Sequence, residues 1–191
     1  SNIAKYDAFH GVVIYHDHDP LAFTREHIAD YLSVGLRWGY KVLEADPEAR
    51  YYFFMWNCLW KSGASILHGH AQIACTRGLH YAKIEHLRRA ALQYREQYGV
   101  NFFDDLFAAH AAVGLALEAR GVRLLASLTP IKEKEVWLIG SAVDNTLADA
   151  LYRVLDCYAH PLGVHSFNVV LYVPPLAPAP EDWSGFPVIA R

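Results

Sequence analysis

Along Leu67–His68–Gly69–His70–Ala71–Gln72–Ile73, two imidazoles and an amide occupy alternate positions. In an extended segment His68, His70 and Gln72 therefore share one face, because strand side chains repeat with period two. Just upstream, Gly63, Ala64 and Ser65 are small enough to let backbone N–H groups come close to an anion. A neutral imidazole attacks phosphorus when its tautomer and orientation are held, and donors on the phosphoryl oxygens lower the barrier. The residues thus point to phosphoryl or nucleotidyl transfer, with Ser65 and Gln72 orienting phosphate oxygens. A plainer reading stands beside this one. The histidines then lie on a solvated strand face or pair with carboxylates, Gly63 and Ser65 only make a turn, and Asn57 supports it by hydrogen bonds.

Composition narrows the classes. The 191 residues are 53% hydrophobic and 14% aromatic, enough for a substantial core in one large or two small domains. Seventeen basic and twenty acidic side chains are well mixed, for a formal charge of −3. That argues against an extended nucleic-acid surface and leaves room for a small phosphate pocket. Cys58, Cys75 and Cys157 are odd in number and form no CxxC pair, which favours a reduced, cytoplasmic setting. There is no signal-peptide pattern and no apolar run long enough to span a bilayer, so no membrane partner is expected. The chain opens at Ser1 without an initiator Met, consistent with processing or with further upstream sequence carrying part of a site.

Several elements must position these groups. A strand is expected over His10 to Tyr15, then a polar turn His16–Asp17–His18–Asp19–Pro20. Thr24 reads as the N-cap of a helix that carries an apolar face from Ile28 to Leu43 and stops at Asp46–Pro47. Tyr51 to Trp56 suits a buried strand, and a turn through Lys61–Ser65 leads into a strand bearing His68, His70 and Gln72. Helices are expected from about His80 to Gln97 and from Asn101 or Asp104 to Gly121, the second with Leu106, Phe107, His110, Val113, Leu115 and Leu117 inward. Strands follow at Val122–Leu128 and Glu135–Ile139, then an amphipathic helix through Leu147, Leu151, Leu155 and Tyr158 to Pro161. Ser166–Val173 reads as a strand. The tail from Pro174 to Pro180 does not read as a central strand, because proline cannot donate to a ladder. The class is α+β, with antiparallel sheet covered by helices. A loose strand–helix–strand recurrence links Gly11–Trp56 to Val122–Val173. Arg88–Arg89 reads as part of a solvated helix face, His160 and His165 as local turn residues, and Cys58 and Cys75 as small buried hydrophobes.

The set Asn57, Gly63, Ser65 and His68–Gly69–His70–Ala71–Gln72 closely resembles the active-site segment of galactose-1-phosphate uridylyltransferases. These are grouped with dinucleoside-polyphosphate phosphorylases in the histidine-triad (HIT)-like superfamily. His10–His18 resembles the strand and metal-site loop that precede that segment, and Val122–Pro175 resembles the second half of the transferase. The resemblance implies two related HIT-like halves, here 1–120 with the His-x-His-x-Gln motif and the first half incomplete, and 121–191 as a partial second half with a Pro-rich tail. It also implies that His70 is the nucleophile that forms a covalent nucleotidyl-histidine, that Gln72 stabilises this intermediate and that Ser65 contacts phosphate oxygens. By the same resemblance Asn57 helps arrange the loop, and His18 and His68 are ligands of a structural zinc; the substrate-binding set expected is Asn57, Gly63, Ala64, Ser65 and Gln72. No organic cofactor is implied, and the assembly implied is a homodimer.

The chain departs from the family pattern at three points. Gly69 stands where proline is commonest, the amino-terminal cysteine pair of the zinc site has no counterpart, and Tyr172 stands where a histidine is expected. The implied reaction is nucleotidyl transfer from a nucleotide sugar or nucleotide polyphosphate to a phosphate-containing acceptor, closest to hexose-1-phosphate uridylyltransferase. The alternatives are a dinucleoside-polyphosphate or ADP-sugar phosphorylase or hydrolase, and a non-catalytic nucleotide-binding protein.

Overall fold

The computed structural model describes residue 7 and residues 9–191; Ser1, with the expectation attached to it, lies outside the described residues. Eight strands form one sheet in which every neighbouring pair is antiparallel. In chain order these elements are β1 (Phe9–Ile14), α1 (Arg25–Ala45), β2 (Tyr51–Cys58), β3 (His70–Thr76), α2 (Ala82–Tyr98), α3 (Phe102–Ala112) and β4 (Ala116–Ala119). They continue as β5 (Val122–Ala126), β6 (Val136–Gly140), α4 (Asn145–Ala159), β7 (Phe167–Tyr172) and β8 (Val188–Ala190). Across the sheet the strands run β1-β3-β2-β7-β8-β6-β5-β4.

That order holds a mirrored repeat. The unit β1–α1–β2–β3 places its last strand between its first two, and β6–α4–β7–β8 does the same on the other side of the β2–β7 seam. The recurrence expected from the sequence therefore has a topological counterpart. Its second member begins at β6, with β4 and β5 added outside it. A division at 120/121 falls inside the β4–β5 hairpin, at Arg120 and Gly121, both with positive φ.

Local chemistry explains most boundaries. Thr24 Oγ accepts from the His27 N–H while the His27 ring accepts from the Thr24 N–H, so α1 starts in a reciprocal cap. Asp144 caps α4 by accepting from the N–H groups of Thr146 and Leu147. Asn101 caps α3 at Phe103, but that helix is shorter than expected. Its apolar spacing carries on past a stop: Gly114 adopts φ +75, the Leu115 N–H returns to the His110 carbonyl, and Leu115 and Leu117 belong to a turn and the edge strand β4.

One sheet face packs on α1 and α4 through Tyr52, Phe54, Trp56, Ile73, Leu147, Leu151 and Leu171. The other is covered over its second half by Ile84, Phe103 and Phe186 packed on Leu125, Trp137 and Ile189. The tail crosses the surface, with the Leu176 N–H donating to the Arg50 carbonyl, and then re-enters as β8 between β6 and β7. The Pro174–Pro180 run is not a strand, as expected, whereas Val188–Ala190, beyond it, is a central strand that no local sequence signal marks. Arg88 also departs from expectation: it is buried, bonded to Glu85 and to the Asp182 carbonyl, and only Arg89 is exposed.

Where the tail leaves β7, His80 is enclosed by Tyr51, Tyr81 and Trp183. Its Nε2–H donates to the Val173 carbonyl and its Nδ1 accepts from the Tyr81 N–H, so the neutral ring satisfies both partners. Burial pushes its pKa down to about 4, against the upward pull of the Val173 carbonyl and of Glu85 and Glu181. An unfolded histidine takes up its proton near ~6.5, so this contribution to stability is complete above that pH and is lost as pH falls toward about 4. Urea unfolding at pH 7 and pH 4.5 should differ by ~2–3 kcal/mol more for the wild type than for His80→Gln. Equal differences in the two proteins would refute the assignment.

Candidate active site

On the partly uncovered face, the register brings β1, β3, β2 and β7 side chains into line. Val12 lies opposite Gln72, Ile14 opposite His70, Met55 opposite Gln72, and Asn57 opposite Asn168. Ile14 is 71% exposed while its neighbour His70 is 8% exposed, so the histidine is recessed at the open end of the sheet.

His70 opens β3, and its Nδ1 lies 2.9 Å from the His68 carbonyl oxygen. A peptide carbonyl only accepts, so Nδ1 carries the proton and the neutral ring keeps its lone pair on Nε2. The geometry leaves the unprotonated nitrogen at Nε2. It also holds an acceptor against the Nδ1–H, which gains strength when the ring becomes cationic.

His68 is not on the strand. The chain from Ser65 to His68 bends, so the period-two reading fails at this residue and its ring does not share a strand face with His70 and Gln72. Its Nε2–H donates to the Tyr15 carbonyl at 2.7 Å, and its Nδ1 meets His18 Nδ1 at 2.8 Å. With Nδ1 of His68 as acceptor, His18 supplies the proton between them. The structure thus brings His18 and His68 together, as a hydrogen-bonded pair. A structural zinc site takes four ligands. Among the described residues no group of three or more His, Cys, Asp or Glu is placed to hold a metal, so His18 and His68 would make two of the four ligands that such a site needs.

The reason for glycine at 69 is spatial. A Cβ there would sit 2.6 Å from Tyr15 Cδ2, and the Gly69 carbonyl accepts from the Tyr15 N–H at 2.9 Å. The Tyr15 ring is itself fixed, stacked on Tyr31 with centroids 3.5 Å apart and edge-on to Trp56 at 4.9 Å. Gly69→Ala should therefore cost ~1–3 kcal/mol through overpacking, read by denaturant unfolding. Tyr15→Leu in the same chain should recover part of it; a Gly69→Ala protein of unchanged stability would show that Tyr15 does not define this turn.

Gln72 accepts from His10, with Nε2 of the ring 2.6 Å from Oε1, which fixes the amide along the open face. His10 was read from sequence only as the start of a strand. Its phase with Val12 and Ile14 was the available signal, since β1 pairing places it beside Ala74 and one step from Gln72.

The loop between β2 and β3 is closed from within. Leu59 takes φ +66, a short 3-10 turn runs over Trp60–Ser62, and Gly63 takes φ +91. Ser62 Oγ bridges to the carbonyls of Cys58 and Leu59. The Gly63 N–H donates to the Trp60 carbonyl and the Ala64 N–H to that of Leu59. The expectation that Gly63 and Ala64 offer backbone donors to a phosphate is thereby corrected: both N–H groups are spent on the turn. Ser65, next to them, is exposed.

Asn57 reaches this loop through a residue the sequence reading did not single out. Asn168 Nδ2 donates to Asn57 Oδ1 at 2.6 Å and to the Ser62 carbonyl at 2.8 Å, while its Oδ1 accepts from Lys132 Nζ at 2.8 Å. No local pattern connects positions 57 and 168; only the β2–β7 pairing does. Cys58 and Cys75 lie under the sheet, and burial pushes each thiol up to about 12, so neither is a nucleophile here.

Similarity to known proteins is carried by structure. No protein-family model and no curated protein sequence matches the chain. A uridylyltransferase structure superposes with a TM-score of 0.74 at 18% identity, covering 95% of this chain and 62% of the other. A GalT-like protein from Arabidopsis thaliana gives 0.75 at 17% identity, over 99% of this chain and 71% of the other. The ADP-glucose phosphorylase from Arabidopsis thaliana, solved with bound ADP-glucose, gives 0.71 at 18%, over 95% of this chain and 61% of the other. The chain has the α+β fold of these proteins, in agreement with the resemblance read from its motif, and spans about three fifths of the uridylyltransferase and phosphorylase chains.

Proposed function

We propose that the chain carries a nucleotidyl-transfer site in which His70 forms a covalent nucleotidyl-histidine. The observation that supports this most is the bond from His70 Nδ1 to the His68 carbonyl, which leaves Nε2 as the free lone pair. In the first step Nε2 forms an N–P bond to the α-phosphorus of a nucleotide sugar or nucleotide polyphosphate. The bond from that phosphorus to the bridging oxygen breaks, and the electron pair leaves with the terminal phosphate or sugar phosphate. The ring carries a positive charge in this intermediate, and the His68 carbonyl stabilises it through Nδ1–H. In the second step a phosphate oxygen of the acceptor attacks, the N–P bond breaks, and neutral His70 is restored. No proton need move between the ring and solvent in either step.

Ser65 and the His10-held amide of Gln72 are the groups proposed to contact the phosphoryl oxygens, and Asn57 holds the loop that presents Ser65. Transfer to a sugar phosphate is the main reading. Release to phosphate is the second, favoured by the likeness to an ADP-glucose phosphorylase. A homodimer is proposed with this chemistry, supported by exposed Ile14, Trp60, Ile66 and Leu67 around the mouth of the site.

Intact-protein mass spectrometry after brief, separate incubations with UDP-glucose, UDP-galactose, ATP and ADP-glucose tests the proposal. A UMP or AMP adduct identifies both the chemistry and the base, and its discharge by a sugar phosphate, by phosphate or by water identifies the acceptor. A folded protein that binds nucleotide without acquiring any adduct would defeat the covalent reading and leave a nucleotide-binding protein.

A further inference from the structure

Across the strands, the residues of the candidate site form a row. Ile14 of β1 lies opposite His70 of β3, and Asn57 of β2 lies opposite Asn168 of β7. Trp56 pairs with Ala71, so the antiparallel register continued by one step sets Asn57 opposite His70. His70, Asn57 and Asn168 therefore share the sheet face turned away from the α1 and α4 core, to which their neighbours Ala71, Trp56 and Phe167 belong. The row ends in a cation: Lys132 Nζ donates to Asn168 Oδ1 at 2.8 Å. At ~4.8 Å between strands, His70 and Asn168 stand ~10 Å apart, with the ammonium on the Asn168 side.

The loop that carries this ammonium is tied down on both sides of it. The Glu135 carboxylate, itself largely buried, accepts from the backbone N–H groups of Ile131 at 2.8 Å and Lys132 at 3.4 Å, and from Trp137 Nε1 at 2.6 Å. From α4 the Tyr158 hydroxyl donates to the Lys134 carbonyl. The carboxylates next to Lys132 in the chain are engaged elsewhere, Glu133 with Lys134 and Glu135 with Arg191. Among the described residues Lys132 thus meets an amide oxygen and no carboxylate. An ammonium has three donors, so one bond to Asn168 leaves capacity for an anion. Much of the rotamer entropy that a lysine loses on gripping a ligand is already spent in this arrangement.

We infer that Lys132 binds the phosphate adjoining the one under attack, the outgoing phosphate of the donor in the first step and the incoming phosphate of the acceptor in the second. The inference rests on the nucleotidyl-transfer reading and adds to it the residue that selects a phosphate-terminated leaving group and acceptor. As His70 Nε2 bonds to the α-phosphorus, the bond from that phosphorus to the bridging oxygen breaks and its electron pair stays on the oxygen. The departing phosphate gains one unit of negative charge, and no proton moves. A fixed cation beside that oxygen gains most as the charge develops, so it favours the transition state over the bound donor. In the second step the same contact orients the acceptor's phosphate for attack on the nucleotidyl-histidine.

The test follows labelling of the full chain by mass spectrometry with two donors of one nucleotide. One is UDP-glucose or ADP-glucose; the other is the 4-nitrophenyl ester of the matching UMP or AMP, whose leaving group carries no phosphate. In Lys132→Met the ratio of the sugar-donor rate to the ester rate should fall at least ~10-fold, and Lys132→Arg, which keeps the charge, should restore most of it. The concentration of glucose 1-phosphate or inorganic phosphate that discharges half of the labelled protein should rise by a similar factor. A ratio within ~2-fold of wild type overturns the inference, whether both rates hold or both fall together. Equal falls would make Lys132 only a prop for the Asn168 amide. A wild type that neither donor labels would defeat the nucleotidyl-transfer reading and this assignment with it, whereas a wild type that labels confines any failure to Lys132.

Discussion

His70→Ala should acquire no nucleotidyl adduct from any donor, and its turnover should fall at least ~10³-fold, because the atom that forms the N–P bond is gone. The fold should hardly notice. His70 sits at the first position of β3, beside an exposed Ile14, and its one described side-chain bond is to the backbone of its own loop. Melting temperature and far-UV circular dichroism close to wild type would therefore accompany the loss. His70→Asn is the sharper control, since an amide fills part of the pocket without a nucleophilic nitrogen. An adduct that persisted in either variant would show that another group is modified and would remove His70 from the mechanism. Lost activity together with a collapsed melting transition would instead make His70 a structural residue.

The largest effect on stability is expected from Arg88→Ala, at ~3–5 kcal/mol. Glu85 and Arg88 are 9% and 8% exposed in their side chains and joined by two bonds of 2.7 Å, and the guanidinium also donates to the Asp182 carbonyl and lies over Trp183. The Arg88 hydrogen bonds hold the Glu85 carboxyl at about 2, so its contribution is complete above ~4.5 and fades as pH drops toward 2. Removing Arg88 leaves a buried carboxylate with only the exposed Arg89 for a partner and frees the segment that leads into β8. The double variant Glu85→Gln, Arg88→Met should return to within ~1–2 kcal/mol of wild type, because the burial of an unpaired charge is what makes the single change costly. Urea titrations at pH 7 measure both. A single variant that loses less than ~1 kcal/mol would mean that solvent reaches Glu85 freely.

The elements that the sequence announced share a property: their signals are local. Thr24 and Asp46 bracket α1, Tyr51–Cys58 concentrates aromatic residues, and Leu147, Leu151 and Leu155 trace one helical face. The antiparallel α+β architecture followed from them. What stayed hidden depends on partners far along the chain. Val188–Ala190 is too short and too close to prolines to be read as a strand, and becomes one because β6 and β7 leave it a place. Period two assigned His68 to β3, yet the Tyr15 ring under Gly69 and the bend from Ser65 decided otherwise. In the candidate site, His70, Gln72 and Ser65 were visible as a motif. His10 and Asn168 came from strands whose register no short window encodes.

The seam between β2 and β7 also dictates an order of events during synthesis. Asn57 and the Ser62 carbonyl are tied by a residue 111 positions beyond Asn57, and until that residue leaves the ribosome the loop ahead of His70 has its internal turn bonds but not its tie to β7. Long-range pairing of this kind forms late, since the closure entropy of the intervening chain is met before its contacts exist. The edge of β2 stays open in the meantime, apolar and eight residues long, a template for wrong pairing until β7 arrives. His70, the proposed nucleophile, is thus translated early and supported late. A truncated chain would carry the whole His-x-His-x-Gln motif and still lack the support that presents it.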